Sequence, residues 1–334
     1  MPTLETPKYK KADFVSDQEV RWCPGCGDYA ILSAVQMVMA RLGVAKEKFV
    51  CVSGIGCSSR FPYYVDTYGF HSIHGRAPAV ASGVKIANPE LDVWVITGDG
   101  DALSIGGNHL IHAMRRNLDM VVLLFNNRIY GLTKGQYSPT SERNKRTPST
   151  PFGSVDNPFN PIALALGAGA TFVARSVDTQ IKHLQGVLEA AHAHQGFSFV
   201  EILQNCVIFN DGAFEHITSK EVRDDRQIDL QPGRPMVYGK ELDKGLRFTP
   251  SSIEICAPEE ADLWQADEGC GARAYRICHV QENGDLPVPM GILRQVQAPL
   301  HEADVHEQIR LAREKLGEGD LEAALHAGET WTVT

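Results

Sequence analysis

The sequence predicts an α/β fold, a mostly parallel sheet flanked by helices, with a C-terminal extension. Two observations carry this. Residues 92–97 (DVWVIT) and 120–125 (MVVLLF) are short, nearly continuous apolar runs, the pattern of strands buried on both faces, and Gly107–Arg116 between them reads as a helix. Strand, helix, strand at this spacing is a βαβ unit, so the two strands should run parallel with a right-handed crossover.

The remaining elements follow in order. From Asp28 the apolar positions Ile31, Leu32, Val35, Val38, Met39 and Leu42 recur at helical spacing until Gly43, which can end the helix. Cys23 and Cys26 therefore sit just before a helix. Phe49–Ser53 reads as a short buried strand that runs into the glycine turn Gly54-Ile55-Gly56. The small residues of Ala77–Ala87 suggest a closely packed helix, stopped by Pro89. Residues 137–161, rich in Pro, Ser, Thr and Asn, read as a long loop, and loops of that length in a compact domain are usually functional. Beyond it, residues 162–167, 171–177, 179–194 and 198–203 continue the alternation, and the sheet is expected to end near Cys206. From Asp211 the pattern weakens, and only residues 305–315 and 321–327 look helical. The expected organisation is an N-terminal segment 1–27, an α/β domain 28–210, and an extension 211–334 that packs on the core or a partner.

Composition narrows the function. A chain of 334 residues with 43% hydrophobic and 22% charged residues can bury a full core and is neither disordered nor fibrous. The net charge of −9, without blocks of Lys or Arg, argues against a nucleic-acid partner, because phosphate binding needs concentrated positive charge. No apolar run is long enough to cross a bilayer and the first residues lack an apolar export region, so the expectation is a cytoplasmic protein with no membrane partner. Eight cysteines are too few for a disulfide scaffold, and a Cys-x-x-Cys in such a chain points to metal or redox chemistry.

The most informative segment is Gly98-Asp99-Gly100-Asp101, which follows a strand and precedes a helix, with Asn126-Asn127 closing the next strand. One βα crossover separates Asp99 from Asn127, which places both at the carboxyl ends of neighbouring strands, where α/β folds bind ligands. A carboxylate, an amide oxygen and backbone carbonyls are hard oxygen donors that suit Mg²⁺ shared with phosphates. The glycines let the backbone approach a diphosphate, and the helix N-terminus offers N–H groups to it. This arrangement resembles the thiamine-diphosphate signature of a pyrophosphate-type fold, with Ile129 where that family donates a carbonyl to the metal.

Cys23-Pro24-Gly25-Cys26-Gly27 lets two thiolates reach one metal centre. Alone it fits a dithiol, half a zinc site or half an iron–sulfur site. The zinc reading wants a second Cys-x-x-Cys or His pair, and none exists; the dithiol reading wants a preceding strand, and residues 8–22 are polar. Taken together, CPGCG, GIGCS, HGRAPAVASGVKIANP, GDGD, NNRIYGLTKGQ with SPT, and the late cysteine of QNC resemble the β subunit of 2-oxoacid:ferredoxin oxidoreductases, from about Trp22 to Phe209 and in family order.

The resemblance implies one [4Fe–4S] cluster on Cys23, Cys26, Cys57 and Cys206, and Mg²⁺ on Asp99, Asn127 and Ile129. It implies thiamine diphosphate held by Ile55, Gly56, Cys57, Ser58, His74, Gly98, Asp99, Gly100, Asp101, Asn127, Ile129, Gly131, Leu132 and Thr133. His74 matches the cofactor-contacting histidine. Lys134 is the candidate for binding substrate charge, and YGLTKGQ resembles the type that acts on 2-oxoglutarate. Cys51, Cys256, Cys270 and Cys278 are expected to be structural, buried as small hydrophobes. The implied reaction converts 2-oxoglutarate and coenzyme A to succinyl-CoA and CO₂, with electrons passing singly to ferredoxin. The glutamate that activates thiamine is implied to lie on a separate α subunit, in an αβ or α₂β₂ assembly. The alternatives are the same chemistry on pyruvate or several 2-oxoacids, and a non-oxidative thiamine decarboxylase or lyase with a structural zinc.

Overall fold

Eleven strands organise the chain in the computed structural model, which describes residues 7–280, 282 and 284–333. They are β1 (Phe49–Ser53), β2 (Tyr68–His71), β3 (Asp92–Gly98), β4 (Met120–Asn126), β5 (Phe172–Val177), β6 (Phe197–Leu203), β7 (Gln227–Leu230), β8 (Val237–Tyr238), β9 (Lys244–Phe248), β10 (Ile253–Cys256) and β11 (Val288–Gln295). Eight form the main sheet in the order β2-β1-β3-β4-β6-β5-β11-β7, and the other three form a small antiparallel sheet, β10-β9-β8.

Alternation explains the unbroken apolar runs. Val93, Val95, Val122 and Leu124 enter one core, while Trp94, Ile96, Val121, Leu123 and Phe125 enter the core on the opposite face. The helices α1 (Asp28–Arg41), α2 (Ala77–Ala87), α3 (Asp99–Leu103), α4 (Gly107–Arg116), α5 (Pro161–Gly167) and α6 (Ile181–Ala193) cover these faces. Ile31, Val35 and Met39 of α1 pack with Leu184 and Leu188 of α6 on one side. Ala77, Ala81, Leu110, Met114 and Ile162, from α2, α4 and α5, pack on the other. Each fully buried Leu, Ile, Val or Phe contributes about 1.5–3 kcal/mol, so this double-sided burial is the main source of stability.

The sheet does not end near Cys206. Strand β11 pairs antiparallel with β5, and β7 pairs parallel with β11, so the extension completes the main sheet and a boundary at residue 211 cuts through it. Neither strand has a readable signature: β7 has four residues, and β11 carries Pro289 and Gly291. Gly291 has φ +80°, and a Cβ there would lie 2.5 Å from the Leu230 carbonyl oxygen, so only glycine fits between the two strands. Strand β2 also lacks a signature, because all four of its residues are exposed at the sheet edge.

Strands β1, β3, β4, β6 and β5 are parallel, so their carboxyl ends share one edge. Ser53 pairs with Ile96, Gly98 with Phe125, and Asn126 with Leu203. The segments after them, beginning at Gly54, Asp99, Asn127 and Gln204, therefore line up along that edge, where open α/β sheets bind ligands.

Candidate active site

Asp99 opens α3 and is buried. Its Oδ2 accepts hydrogen bonds from the hydroxyls of Ser138 (2.5 Å) and Thr140 (2.6 Å). Thr140 Oγ1 also lies 2.9 Å from Asn126 Oδ1, which ties the long loop to the end of β4. Burial raises the Asp99 pKa against the pull of these hydroxyls, which bring no positive charge. A divalent cation would supply the missing charge. Asn127 is half-buried, and its Oδ1 receives the Ile129 N–H at 3.1 Å, which folds the Asn127-Arg128-Ile129 turn toward Asp99's edge of the sheet. Asp99, Asn127 and the Ile129 turn are thus a fitting oxygen-donor set for Mg²⁺.

Gly100 is required here. A Cβ on it would lie 2.3 Å from the Tyr130 ring, whose hydroxyl donates to the Gly100 carbonyl at 2.9 Å. Asp101, expected at the cofactor, is engaged elsewhere. Its Oδ1 accepts from the Gly75 N–H (2.7 Å) and pairs with His74 Nδ1 (2.6 Å), and its Oδ2 accepts from Thr97 (2.8 Å). The carboxylate therefore orients His74, and Gly54 makes room for it, because a Cβ at 54 would lie 1.8 Å from Asp101 Oδ2. Ile55 and Gly56 (φ +119°) form the turn from β1 to the short 3-10 helix Ser58–Tyr63, with Ser58 buried beneath Gly98.

The four candidate cluster cysteines come together. Cys23, Cys26, Cys57 and Cys206 line one cavity of about 200 Å³, with Asp28, Arg60, Asn127, Gly131, Lys134 and Gln204 among its other walls. Three local contacts build it. The Cys26 N–H closes a turn on the Cys23 carbonyl (3.0 Å), with Gly25 at φ +82°. Trp22 Nε1 donates to the Cys57 carbonyl (2.7 Å), and the Gly27 N–H donates to the Asn205 carbonyl (3.2 Å). A Cβ placed on Gly131 would lie 3.5 Å from Cys57 Sγ and 3.7 Å from Cys206 Sγ, so the NNRIYG turn packs directly on two of the sulfurs.

Among the described residues no three His, Cys, Asp or Glu side chains converge on a single-ion position. Four cysteines around one cavity match the thiolate count that an iron–sulfur group would need. Burial pushes the Cys57 thiol up to about 12, with Asp28 and the other cysteines adding to the rise, and burial with Asp28 raises Cys26 as well. Thiols in such a pocket become thiolates when a cationic metal core supplies the balancing charge.

Leu132 and Lys134 are exposed at the cavity's rim, with Thr133 exposed between them in sequence, and Lys134 adopts a left-handed backbone, φ +75°. The structural cysteines divide. Cys51 and Cys278 are buried as expected, whereas Cys256 is half-buried and Cys270 is exposed in a turn, its Sγ 3.4 Å from Glu268 Oε1; neither is a core residue.

The family described as thiamine pyrophosphate enzyme, C-terminal TPP binding domain, matches residues 54–202. The 2-oxoglutarate oxidoreductase subunit KorB of Mycobacterium tuberculosis is 50% identical over 340 residues, which span 100% of this chain and 91% of that protein. The chain belongs to the 2-oxoacid:ferredoxin oxidoreductase β-subunit family. Another of these β subunits, that of 2-oxoacid:ferredoxin oxidoreductase 1 of Aeropyrum pernix, is 50% identical over 190 residues, 57% of this chain and 60% of its own length. The solved 2-oxoglutarate:ferredoxin oxidoreductase of Magnetococcus marinus, with 2-oxoglutarate, coenzyme A and succinyl-CoA bound, superposes with a TM-score of 0.77 at 34% identity, covering 98% of each chain.

Several site residues of this β subunit escape sequence reasoning. Asp28, Asp178 and Gln204 wall the cysteine turn, yet each looks like an ordinary helix-start or strand-end polar residue. Asp28 is fully buried, and burial, with Asp178 nearby, lifts its carboxyl to about 7. Behind Asn126, Glu201 accepts from Asn126 Nδ2 (2.7 Å) and Arg175 Nε (2.7 Å), a buried polar chain across β4, β6 and β5. A charged residue inside an apolar strand run is the one signal that marks Glu201.

Proposed function

We propose that this chain is the β subunit of a cytoplasmic 2-oxoglutarate:ferredoxin oxidoreductase, an αβ or α₂β₂ assembly that converts 2-oxoglutarate and coenzyme A to succinyl-CoA and CO₂ and reduces ferredoxin. The α subunit completes the thiamine site. Asp99, Asn127 and Ile129 hold Mg²⁺ and through it the diphosphate; Cys23, Cys26, Cys57 and Cys206 hold one [4Fe–4S] cluster. The observation that carries the reading is Gly131, packed against the sulfurs of Cys57 and Cys206 four residues after Asn127.

Bound thiamine diphosphate supplies the carbanion chemistry of 2-oxoacid decarboxylation, and a cluster beside it accepts electrons one at a time. The chain's own residues orient and gate. His74 has Nδ1 engaged by the Asp101 carboxylate, so Nδ1 carries the proton and Nε2 is the atom free to meet a ligand. Ser138 and Thr140 fix the Asp99 carboxylate. Lys134 presents an exposed ammonium to the substrate's distal carboxylate, a task that suits a flexible point charge. In an acidic chain, the basic residues Arg60 and Lys134 line the cavity together with Arg21, which pairs with Glu19, and they favour docking of an acidic ferredoxin.

The test is anaerobic co-purification with the α subunit, followed by iron, sulfide and thiamine analysis. CoA-dependent reduction of ferredoxin is then measured with 2-oxoglutarate and with pyruvate. The reading expects about four irons per β chain, absorption near ~400 nm and preference for 2-oxoglutarate. Stoichiometric zinc, no visible absorption and aldehyde release would overturn it.

A further inference from the structure

We propose that Gln204 is a positioning residue that tunes the reduction potential of the cluster by donating a hydrogen bond to Cys26; this rests on the cluster assignment above. Gln204 follows β6 and is 1% exposed. Its main-chain N–H donates to the Asn126 carbonyl at 2.9 Å, one residue before the metal-ligand turn. Its side-chain Nε2 lies 3.3 Å from Cys26 Sγ and 2.5 Å from the Asn205 carbonyl oxygen.

The second contact fixes the chemistry of the first. A carbonyl oxygen only accepts, so the amide end beside Asn205 is the NH₂, and its other proton faces the Cys26 sulfur. This orientation leaves Gln204 Oε1 buried with no partner among the described residues. The NH₂, not the oxygen, is therefore the end of the amide that is paired. Room for it comes from Gly27, where a Cβ would lie 3.1 Å from Gln204 Cγ.

A donor to a cluster thiolate stabilises the more negative, reduced state and raises the potential. Gln204 thus joins the two halves of the site: its backbone is pinned to β4's diphosphate turn and its amide to the cluster. A shift of the turn on cofactor binding would be felt at the sulfur.

The experiment is an EPR-monitored redox titration of the anaerobically purified assembly, comparing wild type with Gln204→Met and Gln204→Leu. Both substitutions remove the NH₂ and add no charge. The expected result is a midpoint more negative by an amount that lowers the reduced-to-oxidised ratio about tenfold at fixed poise, ~59 mV for one electron. A midpoint unchanged in an iron-replete variant overturns the proposal. If the Met variant loads no iron, the Leu variant decides; loss of the cluster from both, with thiamine retained, makes Gln204 an assembly residue and overturns the tuning role. A wild-type assembly without a cluster would instead overturn the functional reading itself.

Discussion

The main-chain N–H of Gly27 donates to the carbonyl of Asn205 at 3.2 Å, and this bond sets Cys26 beside Cys206. The two cysteines come from opposite ends of the α/β region, one before α1 and one after β6. Asp178, following β5, completes the joint: its Oδ2 accepts the Asn205 N–H at 2.7 Å and occupies the space a side chain at position 27 would need.

Gly27→Ala should therefore disrupt cluster assembly. Its φ of −60° is ordinary, so the obstacle is collision: a Cβ would lie 1.9 Å from Asp178 Oδ2. The expected outcome is iron content lowered several-fold with the far-UV circular dichroism unchanged. Adding Asp178→Ala to the same chain should restore part of the iron, and no recovery would mean that the joint is held by something else.

Asp99→Asn keeps the shape and removes the charge that a divalent cation would answer. Thiamine diphosphate affinity in the assembly, measured at saturating Mg²⁺, should fall at least about tenfold, ~1.4 kcal/mol. Thr140→Ala, which removes a hydroxyl shared by Asp99 and Asn126, should weaken binding less, by about 1 kcal/mol. Retention of wild-type affinity in Asp99→Asn would remove that residue from the metal site.

The sheet's centre was legible because β3, β4 and β6 are buried on both faces and mostly apolar. So were the two motifs, since glycine, acid and amide at strand ends have few other uses. What lay hidden was hidden for physical reasons. Strands β7 and β11 are short or interrupted and are held by pairing rather than by pattern. Asp101 looks like a ligand beside Asp99, but the start of α3 turns its carboxylate onto Thr97 and the His74-Gly75 turn. Gln204 and Asp178 gain their roles only from partners far away in the chain.

Arg128 gives a pH prediction. Held at φ +58° between Asn127 and Ile129, its guanidinium pairs with Glu142 (3.1 Å) and Glu282 and lies 4.3 Å from the Phe214 ring centroid. Burial opposes ionisation of Glu282, yet the His216 hydrogen bond and Arg128 hold its carboxyl down at about 2. Because the folded value is depressed, the stabilisation is present above the unfolded pKa of about 4.3 and is lost as pH falls toward 2. Glu282→Gln should destabilise by about 2 kcal/mol at pH 7, and the gap in thermal midpoint from wild type should narrow below about pH 5. A gap that stays constant down to pH 3.5 would mean that the pair contributes nothing.

The proposed role of Lys134 gives a prediction about substrate choice. A long cationic side chain at φ +75° is strained, and the strain persists at an exposed position where relaxation to an ordinary conformation would be easy. Under the proposed function the ammonium meets the distal carboxylate, which 2-oxoglutarate has and pyruvate lacks. Lys134→Gln removes the charge while keeping most of the length, so the KM for 2-oxoglutarate should rise about tenfold, ~1.4 kcal/mol, with the value for pyruvate nearly unchanged. Lys134→Gly relieves the backbone as well, so it should lose the same discrimination without loss of thermal stability. Equal effects on both substrates would show that the residue acts on the shared 2-oxoacid group or on the loop's shape, and the preference for a dicarboxylate would then have to come from the partner subunit.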